Sequence, residues 1–169
     1  GESGDDIMVQ GPGIQRNNGM LGFDWGIHKG DPVAANSDLG IPVFAAQDVF
    51  TLRDRYDSVE ALSGWKFDDV LTGTNFPTGA VGNPGGILNS PTSDSMLLQK
   101  NVGLINGFQA LLGQAPLADP NGVVFNPQNG ADILIGGQGN DRITGKAGDD
   151  LIDGDAWLNV RVSVRDRLD

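Results

Sequence analysis

Residues 129–155 read NGADILIGGQGNDRITGKAGDDLIDGD, and the stretch falls into nines. Gly136–Thr144 (GGQGNDRIT) fits the nonapeptide G-G-x-G-x-D-x-U-x, with U a large aliphatic residue, at every specified position. Gly145–Asp153 (GKAGDDLID) misses only the second glycine, and the unit before it keeps Gly130, Asp132 and Leu134 in phase while lacking both leading glycines. A solvated linker has no reason to hold an aspartate and an aliphatic residue at a fixed nine-residue period, so the stretch is structured despite its Gly/Asp composition.

The spacing describes a turn followed by a strand too short to stand alone. Glycines let the backbone take positive φ and turn its carbonyls toward one point, while the aspartate at the sixth position adds a charged oxygen. Hard oxygen ligands in a flexible cage suit Ca²⁺. The eighth residue, Leu134, Ile143 or Ile152, enters a shared interior as successive units stack. The candidate ligands are the sixth-position aspartates Asp132, Asp141 and Asp150, with carbonyls of the turns at Gly130, Gly136, Gly137, Gly139, Gly145 and Gly148, and Asp153 and Asp155 closing the last site. Two earlier units share the grammar. Residues 1–9 carry Gly4, Asp6 and Met8 in phase, and residues 64–72 carry Gly64, Asp69 and Leu71, with Phe67 in place of the fourth glycine, so Asp6 and Asp69 join the candidates. Between Gly130 and Asp155 six aspartates face only Arg142 and Lys146. Their mutual repulsion makes folding of this stretch dependent on cations.

These units resemble the RTX (hemolysin-type) calcium-binding repeats. The resemblance implies a parallel β-roll with several Ca²⁺ ions held between adjacent turns, and an extracellular chain secreted by a bacterium. The blocks at residues 13–42, 52–73 and 153–166 are also similar to the interrupted-repeat tails of large secreted bacterial proteins that carry animal-type heme peroxidase domains. No heme ligand falls on any position here, so peroxidase chemistry would belong to the remainder of the parent chain. In one RTX subgroup a calcium-triggered module cleaves itself at an Asp-Pro bond. Asp31-Pro32 and Asp119-Pro120 are such bonds, although Asp-Pro is also ordinary turn chemistry.

Composition agrees with this reading. The 169 residues are enough for one domain, and a net charge of -11 argues against nucleic acid or an anionic membrane as partner. Without cysteine there are neither disulfides nor thiolate metal sites, so bound calcium is the available staple. No apolar run is long enough to span a membrane and no signal peptide is present; the chain opens inside a repeat without an initiator Met, as a piece of a larger protein would. Catalysis finds little support. His28 is the single histidine, which reads as a structural hydrogen-bonding residue, and hydrolase, metalloprotease and phosphate-loop motifs are missing. Zinc is discounted on the same residues.

The expected fold is mainly β, a parallel β-roll or solenoid of nonapeptide repeats with long insertions, one packed α-helix and a C-terminal capping strand. Repeat units occupy residues 1–9, 64–72 and 127–154, insertions residues 10–63 and 73–126, and the cap residues 156–169. The aromatics of residues 10–31 plug a core, and residues 48–63 alternate loosely, as an edge strand or a further coil would. The helix starts at Ser93 or Asp94 and runs to Leu112, followed by a short Val123–Phe125 strand, and residues 157–165 alternate strictly as a strand does. The N-terminal unit is expected to stack near the C-terminal repeats, with the segments between them looping out. The non-catalytic calcium module has one main alternative, a calcium-dependent adhesion module presenting residues 74–92.

Overall fold

The computed structural model describes residues 3–43, 53–75, 95–127 and 130–160. Ten short parallel strands carry the architecture: β1 (Ile7–Val9), β2 (Arg16–Asn18), β3 (Trp25–Ile27), β4 (Asn36–Asp38), β5 (Arg55–Asp57), β6 (Ala61–Ser63), β7 (Val70–Thr72), and, after an excursion, β10 (Ile133–Ile135), β11 (Arg142–Thr144) and β12 (Leu151–Asp153). The excursion holds β8 (Leu97–Leu98), α1 (Gln99–Val102), α2 (Phe108–Leu111) and β9 (Val123–Phe125). One sheet has five strands in the order β1-β3-β6-β10-β12, a second has three in the order β11-β7-β4, and β2 pairs with β5. Between visits to the five-stranded sheet the chain passes through the smaller ones: through β2, then β4 and β5, then β7 and the excursion, then β11. Around the best repeats this alternation keeps the nine-residue step of the sequence, with β10, β11 and β12 starting at residues 133, 142 and 151.

Register decides which residues meet. Met8, Gly26, Leu62, Leu134 and Ile152 form one column across the five-stranded sheet, and Ser37, Leu71 and Ile143 form another across the three-stranded one. These are the middle residues of their strands, and Leu62, Leu71 and Leu134 pack with Ala35, Leu39, Tyr56 and Val59 into one core, against which Met8 and Ile143 rest. Because side chains alternate along a strand, the flanking residues point the other way. Trp25, Ile27, Ala61, Ile133 and Ile135 build a second core, closed by Leu97, Val102 and Phe108 of the excursion and by Leu158. Phe23 and Trp25 pack edge to face there, as do Trp25 and Phe108. The aromatics of residues 10–31 thus fill a core, as expected.

Four expectations need correction. Residues 10–43 and 53–63 do not loop out: β2 to β6 lie within them and pair in register with their neighbours. In β2, β3 and β4 the eighth positions are Asn17, Gly26 and Ser37, so the nonapeptide is invisible there to an aliphatic search, whereas β5 and β6 carry Tyr56 and Leu62. Gly26 is small because Tyr56 fills its space; an added Cβ would lie 2.8 Å from the tyrosine ring. Second, residues 3–9 do not stack beside the C-terminal repeats, since β1 and β12 are the two opposite ends of the five-stranded sheet. The central unit does, through β7 against β11. Third, the single helix is two four-residue helices. Gly107 breaks it by taking φ 83, and neither N-cap residue offers a capping side chain. Its expected caps Ser93 and Asp94 lie outside the described residues.

Finally, residues 156–160 are irregular and cross the sheet, so the capping strand is not formed there; residues 161–169 lie outside the described residues. Leu158 N–H donates to Ser63 Oγ at 2.9 Å, and the Lys29 ammonium donates to Asn159 Oδ1 at 2.8 Å and to the Val160 carbonyl. Hydrogen bonds to the Ser63 and Lys29 side chains take the place of a ladder. The Val123–Phe125 strand is present and pairs antiparallel with β8. Among the described residues no helix is long and apolar enough to cross a membrane.

Candidate metal centre

The residue just before each parallel strand, the sixth of its unit in the C-terminal repeats, falls in one of two rows, one for the five-stranded sheet and one for the smaller sheets. One row holds Asp6, Asp24, Glu60, Asp132 and Asp150, each preceding a strand of the five-stranded sheet. The other holds Gln15, Ala35, Asp54, Asp69 and Asp141. A recurring hydrogen bond ties neighbours within each row, in which the side-chain oxygen of one residue accepts the backbone N–H of the next. Asp24 accepts from Asp6 at 2.8 Å, Glu60 from Asp24 at 2.7 Å and Asp150 from Asp132 at 2.9 Å. In the second row Asp54 accepts from Gln15 at 2.7 Å, Asp69 from Ala35 at 2.6 Å and Asp141 from Asp69 at 2.8 Å. These six carboxylates therefore hold the turns in register, and one oxygen of each is directed by that bond.

The second oxygen is turned toward a glycine and a carbonyl of the next turn. A Cβ on Gly64 would collide with Asp69 Oδ2 and the Gly136 carbonyl oxygen; on Gly73, with Asp132 Oδ2 and the Gly145 carbonyl oxygen; on Gly136, with Asp141 Oδ2, at 2.8 Å from the Gly154 carbonyl oxygen. Glycine is required because a carboxylate and a carbonyl occupy the side-chain position. Gly139 and Gly148 serve a different need. At φ 131 and φ 105 they hold conformations that other residues rarely adopt, and their turns press on the Phe67 carbonyl and on Gly130. Lys146 stands where the perfect unit has its second glycine; it takes φ 74, and its ammonium binds Asp38 Oδ1 at 2.9 Å.

Several of these carboxylates are incompletely satisfied. Asp132 is 1% exposed, and its Oδ1 has no hydrogen-bond partner, while Thr74 N–H donates to Oδ2 at 2.6 Å. Asp141 Oδ2, Asp24 Oδ2 and Asp6 Oδ2 are likewise buried without partners. Burial, with Asp150 nearby, pushes the Asp132 carboxyl up to about 8, and burial, with Asp6 nearby, pushes Asp24 up to about 7. Asp69 and Asp54 are raised for the same first reason. An unpaired buried carboxylate costs several kcal/mol unless a countercharge arrives. These oxygens fit a hard cation. Among the described residues no three carboxylate or imidazole side chains converge as a ready-made metal cluster, so main-chain carbonyls must supply much of any coordination shell.

The sequence candidates divide under this geometry. Asp132, Asp141 and Asp150 lie in the two rows with the carbonyls of Gly136 and Gly145 directed at their neighbours. Asp69 lies in the second row, but both its oxygens already accept N–H bonds, from Ala35 and from Trp65 at 2.9 Å. Asp6 heads the first row at the far edge. Asp153 Oδ1 accepts from Asp155 and Ala156 N–H at 2.9 and 2.8 Å and so shapes the turn out of β12, and Asp155 is exposed. Asp24 was missed. Gly19, Gly22 and Asp24 do stand at positions one, four and six of a unit, which was the available signal; the second glycine is replaced by Met20 and the aliphatic eighth residue by Gly26.

His28 is embedded rather than poised. Its Nε2 lies 2.8 Å from Ser37 Oγ and its Nδ1 3.5 Å from Asp31 Oδ2, an order found in hydrolases. Ser37, however, is 1% exposed in the middle of β4, where its hydroxyl also receives the Tyr56 hydroxyl at 3.0 Å. Of the Asp-Pro pairs, Asp119 Oδ1 accepts Asn121 N–H at 2.9 Å, an ordinary Asx-turn.

Residues 128–156 match the family model described as the RTX calcium-binding nonapeptide repeat, four copies. Neither the curated proteins nor the solved structures give a match. The chain carries RTX calcium-binding repeats in this stretch.

Proposed function

We propose that this chain is a calcium-binding module of a secreted bacterial protein, folded as a β-roll whose turns close around Ca²⁺ and without catalysis of its own. The observation that carries the reading is the buried, partnerless Oδ2 of Asp141, which lies where a side chain on Gly136 would have to go, together with the partnerless Oδ1 of the buried Asp132. Asp132, Asp141 and Asp150 would hold ions with the carbonyls of Gly136, Gly145 and Gly154, and the ion would supply the positive charge that the two rows lack. The alternating strands are then the two faces of the roll, with residues 95–127 as a cover over the outer face of the larger sheet. In a cytoplasm poor in Ca²⁺ the rows repel and the chain stays loose; outside the cell, calcium closes it. Adhesion through residues 74–92 is the alternative reading; residues 76–94 lie outside the described residues. The absence of an accessible nucleophile at Ser37 favours a non-catalytic module.

Protons and calcium must compete for the same oxygens. Asp132 and Asp24 have folded-state values above the ordinary 3.8, so the metal-free fold is favoured by protonation and loses stability as the pH rises from about 4 to about 8. With Ca²⁺ the direction reverses, because the ion takes the ionised form. Calorimetric titration is expected to show affinity rising between pH 5.5 and pH 8, with protons released on binding. An affinity flat across that range, or no heat of binding at all, would refute the assignment of these carboxylates.

A further inference from the structure

The turn leading into β2 departs from its counterparts. In residues 10–18 Gly11 and Gly13 hold the second and fourth positions, Gln15 the sixth and Asn17 the eighth. The Gln15 backbone keeps the common link, donating to Asp54 Oδ1 at 2.7 Å as Asp69 does to Asp141 at 2.8 Å. Its side chain does something the aspartates cannot. With the amide oriented so that its nitrogen meets acceptors, Nε2 lies 2.8 Å from Asp54 Oδ1, 3.1 Å from the Gly11 carbonyl oxygen and 3.2 Å from the Gly13 carbonyl oxygen. Two carbonyls of one turn and a carboxylate of the next therefore converge on one atom. Such an oxygen set suits a hard cation, and here a neutral NH₂ with two protons stands in it.

We propose that Gln15 Nε2 occupies the cation position of this turn, so that residues 10–18 assemble without an ion, and that removing the amide opens a divalent-cation site formed by the Gly11 and Gly13 carbonyls and Asp54. The second half of the proposal rests on the calcium reading of the other turns. An aspartate at position 15 would bring a second carboxylate against Asp54 and would need an ion to hold both; glutamine donates instead. The surroundings are sealed by neutral bonds of the same kind. Gln10 and Asn17 exchange amide hydrogen bonds at 3.0 Å in each direction, Asn17 Nδ2 donates to the Arg55 carbonyl at 3.4 Å, and Tyr56, Ser37 and His28 form the buried chain described above. Asp54 is 6% exposed, so its partner must come from the protein or from an ion. The opposite edge of the same coils keeps its partnerless oxygen at Asp24. Demand for cations is thus uneven along the fold: one N-terminal turn carries its own substitute, and the turns at Asp132 and Asp141 do not.

Two measurements on the full chain test this. In the wild type, the side-chain NH₂ protons of Gln15, followed by NMR hydrogen exchange, are expected to exchange at least about tenfold more slowly than those of the exposed Gln138. In equilibrium dialysis with elemental analysis, Gln15→Ala is expected to bind one more Ca²⁺ per chain than the wild type. Gln15 protons exchanging at the rate of Gln138 would overturn the proposal, whether or not the variant folds. Calcium uptake by the wild type with no gain in a folded Gln15→Ala chain would overturn it alone, whereas uptake by neither chain would refute the calcium reading and the opened site together.

Discussion

Stripping Ca²⁺ with a chelator is expected to lower the Tm of the chain by about 10–20 °C and to abolish much of its strand circular dichroism, both restored by added Ca²⁺. The magnitude follows from linkage. A site saturated at a hundredfold over its Kd stabilises the fold by about 2.7 kcal/mol, so two such sites contribute about 5 kcal/mol, a large part of the roughly 5–15 kcal/mol that holds a domain together. For a chain of this size each kcal/mol is worth about 2–4 °C. The structural reason is that the Asp132 and Asp69 backbone N–H groups donate to the Asp150 and Asp141 carboxylates, which holds the acidic residues of neighbouring turns close with nowhere to separate. Magnesium is expected to restore less, because it demands near-octahedral geometry and gives up its water reluctantly. A Tm unchanged by chelation would mean that the partnerless oxygens are satisfied in some other way.

Gly73→Ala is expected to destabilise the calcium-bound chain by about 3 kcal/mol and to weaken calcium uptake, although Gly73 lies far from the matched repeats in sequence. Its backbone needs no special conformation. What forbids the methyl group is that Asp132 Oδ2 and the Gly145 carbonyl oxygen already fill the place of a Cβ. One of them must move, and overpacking of this kind costs about 1–3 kcal/mol before any loss of ion binding is added. Gly103→Ala is the control. Nothing lies closer to its Cβ position than the Lys100 carbonyl at 3.9 Å, and the residue sits at the end of α1 with a helical φ of -65, so the exchange should be neutral or stabilising by up to about 1 kcal/mol. Thermal melts of both variants in Ca²⁺ read the difference. Equal, small effects would show that the turn around Gly73 has room to spare.

What the sequence made legible depended on which residue carried the signal. Where the eighth position is Leu134, Ile143, Ile152 or Leu71, periodicity alone located β10, β11, β12 and β7. Where it is Asn17, Gly26 or Ser37, the same strands form in the same register and went unseen, because the interior there is closed by amide and hydroxyl hydrogen bonds and by the Tyr56 ring instead of aliphatic side chains. The second core was hidden for another reason. Trp25, Ile27, Ile133 and Ile135 sit at unspecified positions of the repeat, and they are apolar only because residues 95–127 cover that face. Apolar spacing suggested one long helix over residues 94–112, but Gly107 with its left-handed φ divides it, and burial of Val102 and Phe108 on separate turns proved enough. In the candidate site, Asp132, Asp141 and Asp150 were readable from spacing. Asp24 and Glu60, which precede strands of the same five-stranded sheet as Asp132 and Asp150, were not, since stacking order is set by the whole fold.

The most direct test is a count of calcium ions bound by the intact chain, by isothermal titration at pH 7.5, repeated on Asp132→Ala and Asp141→Ala. The account predicts more than one Ca²⁺ per chain in the wild type and the loss of at least one in each variant that remains folded. A wild-type count of zero, or a count left unchanged by both substitutions, would contradict it.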